Sequence, residues 1–149
     1  ADYLLHTYKP RTFSKLCELT AVAHNTYANV KNLEPDVINY ELPKWLDSVA
    51  YSKCRCATRE DFYDVLIQNG YSQKDAFTIS ELIRKGRAHA KPELFEEYHL
   101  PFDIMTVAKN CLYLFPRSHT IEYMFLYYKL AYYMKCDSKS YRKITQKLN

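Results

Sequence analysis

The chain has 149 residues, enough for one domain with a real core, and its apolar fraction of 48% excludes a disordered polypeptide. Its net charge of +4, from 21 basic and 17 acidic residues, excludes a histone-like polycation but permits a nucleic-acid partner. Lys109, Glu122 and Lys129 break the longest apolar stretches and the N-terminus lacks a basic-then-apolar signal pattern, so neither a membrane span nor export is expected and the expected location is the cytoplasm.

Along the chain, residues 12–23 (TFSKLCELTAVA) place Phe13, Leu16, Leu19 or Thr20, and Ala23 on one helical face. Residues 30–57 hold two prolines and no sustained period, and read as an irregular connection with at most one short helix. In 58–69 (TREDFYDVLIQN) Thr58 and Asp61 form a capping pair before Phe62, Val65 and Leu66, and Gly70 follows. In 72–85 (SQKDAFTISELIRK) Ser72 and Asp75 cap, Ala76, Ile79, Leu82 and Ile83 form the apolar stripe, and Gly86 follows. The two glycines of the chain therefore fall where helices need a left-handed residue to stop. Pro92 suits the first turn of a short helix over 92–98, Pro101 opens a helix over 102–113, and Pro116 separates that from a long one over 118–135. A charged segment at 138–148 adds a last exposed helix. The expectation is an all-α chain of about seven helices, with one compact helical domain over 1–136 and a basic tail or short exposed helix over 137–149.

Chemistry is sparse. Five scattered cysteines include Cys54-Arg-Cys56, a C-x-C and not the C-x-x-C of zinc or thioredoxin sites, so reduced thiols and no metal site are expected. Glu60/Asp61 and Glu96/Glu97 are adjacent pairs, which do not face each other on a helix, and no nucleophile elbow or glycine-rich phosphate loop occurs. A small enzyme using Cys or His finds no support in this spacing.

Two basic helix ends stand out. Arg84-Lys85-Gly86-Arg87, with His89 and Lys91 behind it, reads either as cations favoured by a helix C-terminus or as a phosphate clamp. Phe115-Pro116-Arg117-Ser118-His119 suits a helix entrance, whose first-turn N–H groups favour an anion; alternatively Ser118 merely caps and His119 is half-buried. Of the 15 tyrosines most are expected in the core, with Tyr123 set apart because it lies one turn after His119.

Four stretches, in order, resemble a known family. KPRTFSKL at 9–16 resembles a segment written RPxTFxDL, and TAVAHNT at 20–26 sits where the family carries Gly-Leu-Ser-His-Gly-Thr. AFTISELIRKGR at 76–87 resembles a helix ending in Arg-Lys-Gly-Lys, and KNCLYLFPRSHTIEY at 109–123 resembles KxxxxFPKAHAxxY. All four belong to the fingers region of the bacterial C-family replicative polymerase, the DNA polymerase III alpha subunit, most like its PolC type. The resemblance runs from near Leu4 to near Lys135 and fades after Cys136.

The resemblance implies a fingers-like domain acting in DNA replication, with primer–template DNA and dNTP as partners and a polymerase palm domain beside it if the chain is a fragment. It implies nucleotide or DNA contacts for His24, Arg84, Lys85, Arg87, Lys109, Arg117, His119 and Tyr123. The family's palm aspartates, which hold two magnesium ions for phosphoryl transfer, are absent, so no catalytic residue, no bound cofactor and no activity of this chain alone are expected. Asn25 stands where the family has glycine after His24, and Thr120, Ile121 and Glu122 replace small residues. These departures leave a second reading open, a free-standing helical protein that has lost nucleotide binding and serves as a protein-interaction module.

Overall fold

The computed structural model describes residues 2–25 and 45–146. Among them nine α-helices and one 3-10 helix are bounded, with no β-strand. In chain order these are α1 (Asp2–Tyr8), α2 (Phe13–Asn25), α3 (Val49–Lys53), α4 (Arg59–Gln68), α5 (Gln73–Arg84), α6 (Arg87–Ala90), the 3-10 helix Pro92–Tyr98, α7 (Phe102–Lys109), α8 (Arg117–Cys136) and α9 (Ser138–Gln146). The all-α expectation holds. Much of the connection expected over 30–57 lies outside the described residues, although α3 falls within it. No helix among the described residues is long and apolar enough to cross a membrane.

The two central helices begin and end as their sequences dictate. Thr58 accepts the Asp61 N–H, and the Asp61 carboxylate takes the Thr58 N–H at 2.7 Å, a complete capping box. Ser72 accepts the Asp75 N–H at 3.1 Å. Gly70 ends α4 with φ +86, its N–H reaching Ile67 O and the Tyr71 N–H reaching Leu66 O, the paired bonds of a Schellman stop. Gly86 ends α5 with φ +68 and its N–H on Ile83 O.

α4 and α5 pack as an antiparallel pair through Phe62 and Leu66 against Ala76, Ile79 and Ile83, all fully buried. Leu19 and Val22 of α2, Tyr51 of α3, Ala88 of α6, Phe95, and Ile104, Val107 and Ala108 of α7 complete one core. Burial of each large apolar side chain contributes about 1.5–3 kcal/mol. Cys54, Cys56 and Cys111 belong to this core; the first two sulfurs lie 3.3 Å apart as thiols.

Two expectations are corrected and one is refined. α7 stops at Lys109 instead of running to 113: Asn110 turns its amide back onto Thr106 O at 2.9 Å, and the chain leaves the helix to lie against the end of α5. Residues 92–98 form the expected short helix, of the 3-10 type, with Pro92 in its first turn. Most tyrosines of α8 are not core. Thr120 and Met124 are buried, but Tyr127, Tyr128 and Tyr132 are 56%, 64% and 56% exposed. The cause is length: a helix of 20 residues spans about 30 Å, and α2, its neighbour, is 13 residues long, so the second half of α8 outruns the described core.

The glycines make unequal demands. A Cβ on Gly70 would meet open space, whereas one on Gly86 would overlap the Leu112 carbonyl oxygen. Gly70→Ala is expected to cost about 1 kcal/mol from the left-handed backbone alone. Gly86→Ala loses clearly more, because a backbone carbonyl cannot rotate aside; urea denaturation of both variants checks this, and equal losses would refute the close approach.

Candidate functional site

The basic turn and the basic helix entrance meet in space. After Cys111 the chain runs past the end of α5, where the Leu114 N–H donates to Arg84 O at 3.1 Å. On its other side the Arg59 N–H donates to Phe115 O at 3.3 Å. The missing side chain of Gly86 makes room for Leu112. So Arg84 and His119, 35 positions apart in the numbering, sit on either side of one short segment.

That segment supplies Tyr113 and Phe115, which join the predicted residues into a string of rings. His24 lies 6.3 Å from Phe115, Phe115 lies 5.3 Å from His119, and His119 lies 4.6 Å from Tyr123 in an edge-on contact. Tyr113 packs edge-on at 5.5 Å from Phe115, and the Arg84 guanidinium lies 5.7 Å from its ring centre. His24 Nδ1 is 2.8 Å from Thr20 O, an acceptor only, so Nδ1 carries the proton and Nε2 faces outward as the second ring nitrogen. Lys85 and Arg87 are exposed on either side of Gly86.

Carboxylates hold the arginines. Glu81 takes Arg84 Nε and Nη2 at 3.0–3.1 Å and Arg59 Nη1 at 2.9 Å. The hydrogen bonds from Arg84 draw the Glu81 carboxyl below its ordinary value of 4.5, and Arg59 adds to this against the opposing effect of burial. At the α8 entrance the geometry departs from expectation. Pro116, not Ser118, occupies the cap position. The Arg117 N–H donates to Glu60 Oε2 at 2.7 Å, and its guanidinium bridges Asp61 at 2.8 Å and Asp64 at 2.7 Å. The anion at this helix start is therefore supplied by α4, and the three acids of REDFYD serve one arginine.

Of the eight residues named from the sequence, His24, Arg84, His119 and Tyr123 are joined through Tyr113 and Phe115, and Lys85 and Arg87 flank them on the turn. Arg117 turns instead toward a 360 Å³ cleft between α2, α4 and α8, lined by Phe13, Cys17, Glu18, Arg55 and Asp61. Lys109 lies apart on a 450 Å³ cavity beside Glu93, Glu96 and His99. Sequence reasoning missed Tyr113, Phe115, Glu60, Asp61, Asp64 and Glu81. The only signal for them was the i, i+4 relation of Glu60 and Asp64 on one face. Among the described residues no three His, Cys, Asp or Glu side chains converge as a ligand set, so these residues do not fit the two-magnesium site the resemblance associates with a palm.

Comparison with known proteins now bears on this geometry. No protein-family profile matches the chain. Curated relatives do. PolC-type DNA polymerase III of Caldanaerobacter subterraneus is 27% identical over 127 residues, 84% of this chain. Those of Oceanobacillus iheyensis and Listeria welshimeri are 27% and 28% identical over 133 and 134 residues, 87% of this chain. The chain is related in sequence to one region of PolC-type DNA polymerase III. It spans 8–9% of the length of these relatives. This similarity, which covers most of the chain, supports a polymerase-related domain.

The ion pairs set an acid response. Glu18 behaves like Glu81: burial raises its carboxyl, but hydrogen bonds from Arg55 and Lys15 outweigh this and hold it low. A carboxyl depressed in the folded state contributes stability in full above its unfolded value and loses it as pH falls through the folded value. Stability is therefore expected to drop as pH is lowered from about 5 toward 3. Glu81→Gln should flatten part of that slope; wild type and variant with identical pH dependence in urea titrations would show that the Arg59–Glu81–Arg84 group contributes nothing there.

Proposed function

We propose that this chain is a fingers-like polymerase domain that contacts the incoming nucleotide and primer–template DNA through the turn at Arg84 and the rings beside it. One observation carries the reading. Two stretches that separately resemble the family's basic motifs are hydrogen-bonded to each other, through Leu114 N–H and Arg84 O. Lys85 and Arg87 meet phosphates, as exposed cations at a helix stop are placed to do. Arg84 joins them when a phosphate displaces Glu81, since a guanidinium binds either anion with the same fork. His24, His119 and Tyr123 offer ring faces and edges to sugar and base. Lys109 reaches more distant phosphates. Arg117, held by Asp61 and Asp64, fixes the entry of α8 and so the position of His119.

Phosphoryl transfer is left to a palm domain, with magnesium arriving with dNTP and held by that domain; the chain's part is to orient and neutralise. The domain works in the cytoplasm, in replication, as a portion of a larger polymerase.

Fluorescence anisotropy with a labelled primer–template, across a salt series with and without dNTP and magnesium, tests this. The double variant Lys85→Ala/Arg87→Ala touches no ion pair among the described residues and should leave stability unchanged. It should weaken binding and lower the salt slope by roughly 2, one unit for each lost phosphate contact. An unchanged slope, or no binding at low salt by the wild type, would sink the proposal.

A further inference from the structure

Beyond Met124 the structure carries a second surface that the Arg84 turn does not use. Phe125 and Leu126 are each 53% exposed, and Tyr128 and Tyr132 more so. Phe125, Tyr128 and Tyr132 follow the i, i+3, i+7 spacing of one helical stripe; Phe125 rests on Phe13 of α2, Tyr128 borders an apolar groove toward Leu5 and Leu16, and the exposed Lys129 and Lys135 flank the stripe. Tyr128 and Tyr132 are one turn apart, about 6 Å along the axis. α9 packs back against α8 and adds the exposed Lys139 and Lys143. From residue 125 to 143 the sole carboxylate is Asp137, which is engaged with the Ser140 N–H at 3.1 Å.

Charge decides what such a surface accepts. Exposed aromatic rings favour removal from water, and lysines of one sign favour an anion. A second copy of the chain would set lysines against lysines across a symmetric contact. A lipid surface rewards deep aliphatic insertion, which flat rings with outward hydroxyls serve poorly. A strand with unpaired bases has both complements, π faces at roughly the spacing of successive rings and one phosphate per nucleotide.

We infer that the exposed rings of the second half of α8, together with α9, form a stacking platform for an unpaired nucleic-acid strand. Tyr128 and Tyr132 take base faces, and Lys129, Lys135, Lys139 and Lys143 take phosphates. The surface lies on different residues from the nucleotide-contacting turn and stands or falls separately from it.

The test is anisotropy of the whole 149-residue chain with labelled oligothymidylate, which cannot pair with itself, over a salt series. Tyr128→Ala/Tyr132→Ala should weaken binding about tenfold or more with the salt slope unchanged. Tyr128→Phe/Tyr132→Phe, which keeps the rings, should restore it. Lys135→Ala/Lys139→Ala should lower the slope instead. Cross-linking to iodouracil should map to residues 125–133. Circular dichroism identifies any variant that fails to fold, in which case the slope of the lysine variant decides. No binding by the wild type, equal binding by the alanine variant, or loss confined to the Lys85/Arg87 variant would overturn the inference. So would self-association or vesicle binding that requires the tyrosines while oligothymidylate is ignored.

Discussion

The close approach of Leu112 to Gly86 is the constraint on which the rest of the site depends. Two backbones can lie this near only where one residue lacks a Cβ and accepts a left-handed conformation. Both requirements fall on the residue that also stops α5. Because α5 stops there, Arg84 O is left without a helical partner and becomes the acceptor for Leu114. Because Leu114 is held, Tyr113 and Phe115 lie ring against ring, with Tyr113 reaching Arg84 and Phe115 reaching His24 and His119. A single glycine thus converts two basic sequences, separated along the chain, into one surface.

The second organising feature is that Arg59, Arg84 and Arg117 are paired with carboxylates while Lys85 and Arg87 are not drawn into those pairs. Arg59 and Arg84 share Glu81, and Arg117 takes Asp61 and Asp64. Such partly exposed pairs contribute modestly to stability, on the order of 1 kcal/mol or less each. Their larger effect is on geometry, because a bidentate carboxylate holds a guanidinium in one orientation. A phosphate approaching Arg84 therefore meets a group already oriented but already neutralised, and the exchange of one anion for another sets the net gain. Lys85 and Arg87 carry no such competitor among the described residues, so they set the long-range attraction while Arg84 sets the fit.

Local signals in the sequence were sufficient for the helices around that surface and insufficient for its interior. Thr58 with Asp61, Ser72 with Asp75, and the two glycines fix α4 and α5 because caps and stops are made by residues within one turn. The all-α class followed from the same logic. Tyr113 and Phe115 were not legible, since their role depends on where a non-helical segment docks. Nor was the end of α7 at Lys109, where Asn110 competes for the backbone in a way that its type permits at many positions. The pairing of Arg117 with α4 is not legible for a related reason: in the sequence Glu60 and Asp61 are adjacent carboxylates that do not face each other, and only the fold brings both to different atoms of a third residue.

The aromatic excess of α8 exposes a limit of periodicity as a guide to burial. A stripe of apolar residues states that a face is dry only if something is there to cover it. On α8 the cover reaches Met124, which accepts the Thr20 hydroxyl at its sulfur at 3.2 Å, and Phe125 still finds Phe13 at 4.8 Å. Past that point Tyr127, Tyr128 and Ala131 face Leu5 of α1 and Leu16 and Ala23 of α2 only across an open apolar groove, and the residues between the rings change from Glu122 to Lys129, Lys135 and Lys139. A chain that had simply drifted, with surplus tyrosines left from a lost interface, has no reason to gather cations among them. Rings and cations arriving together, on the stretch where the core has ended, fit selection for a solvent-facing anion with flat apolar parts better than they fit loss of function.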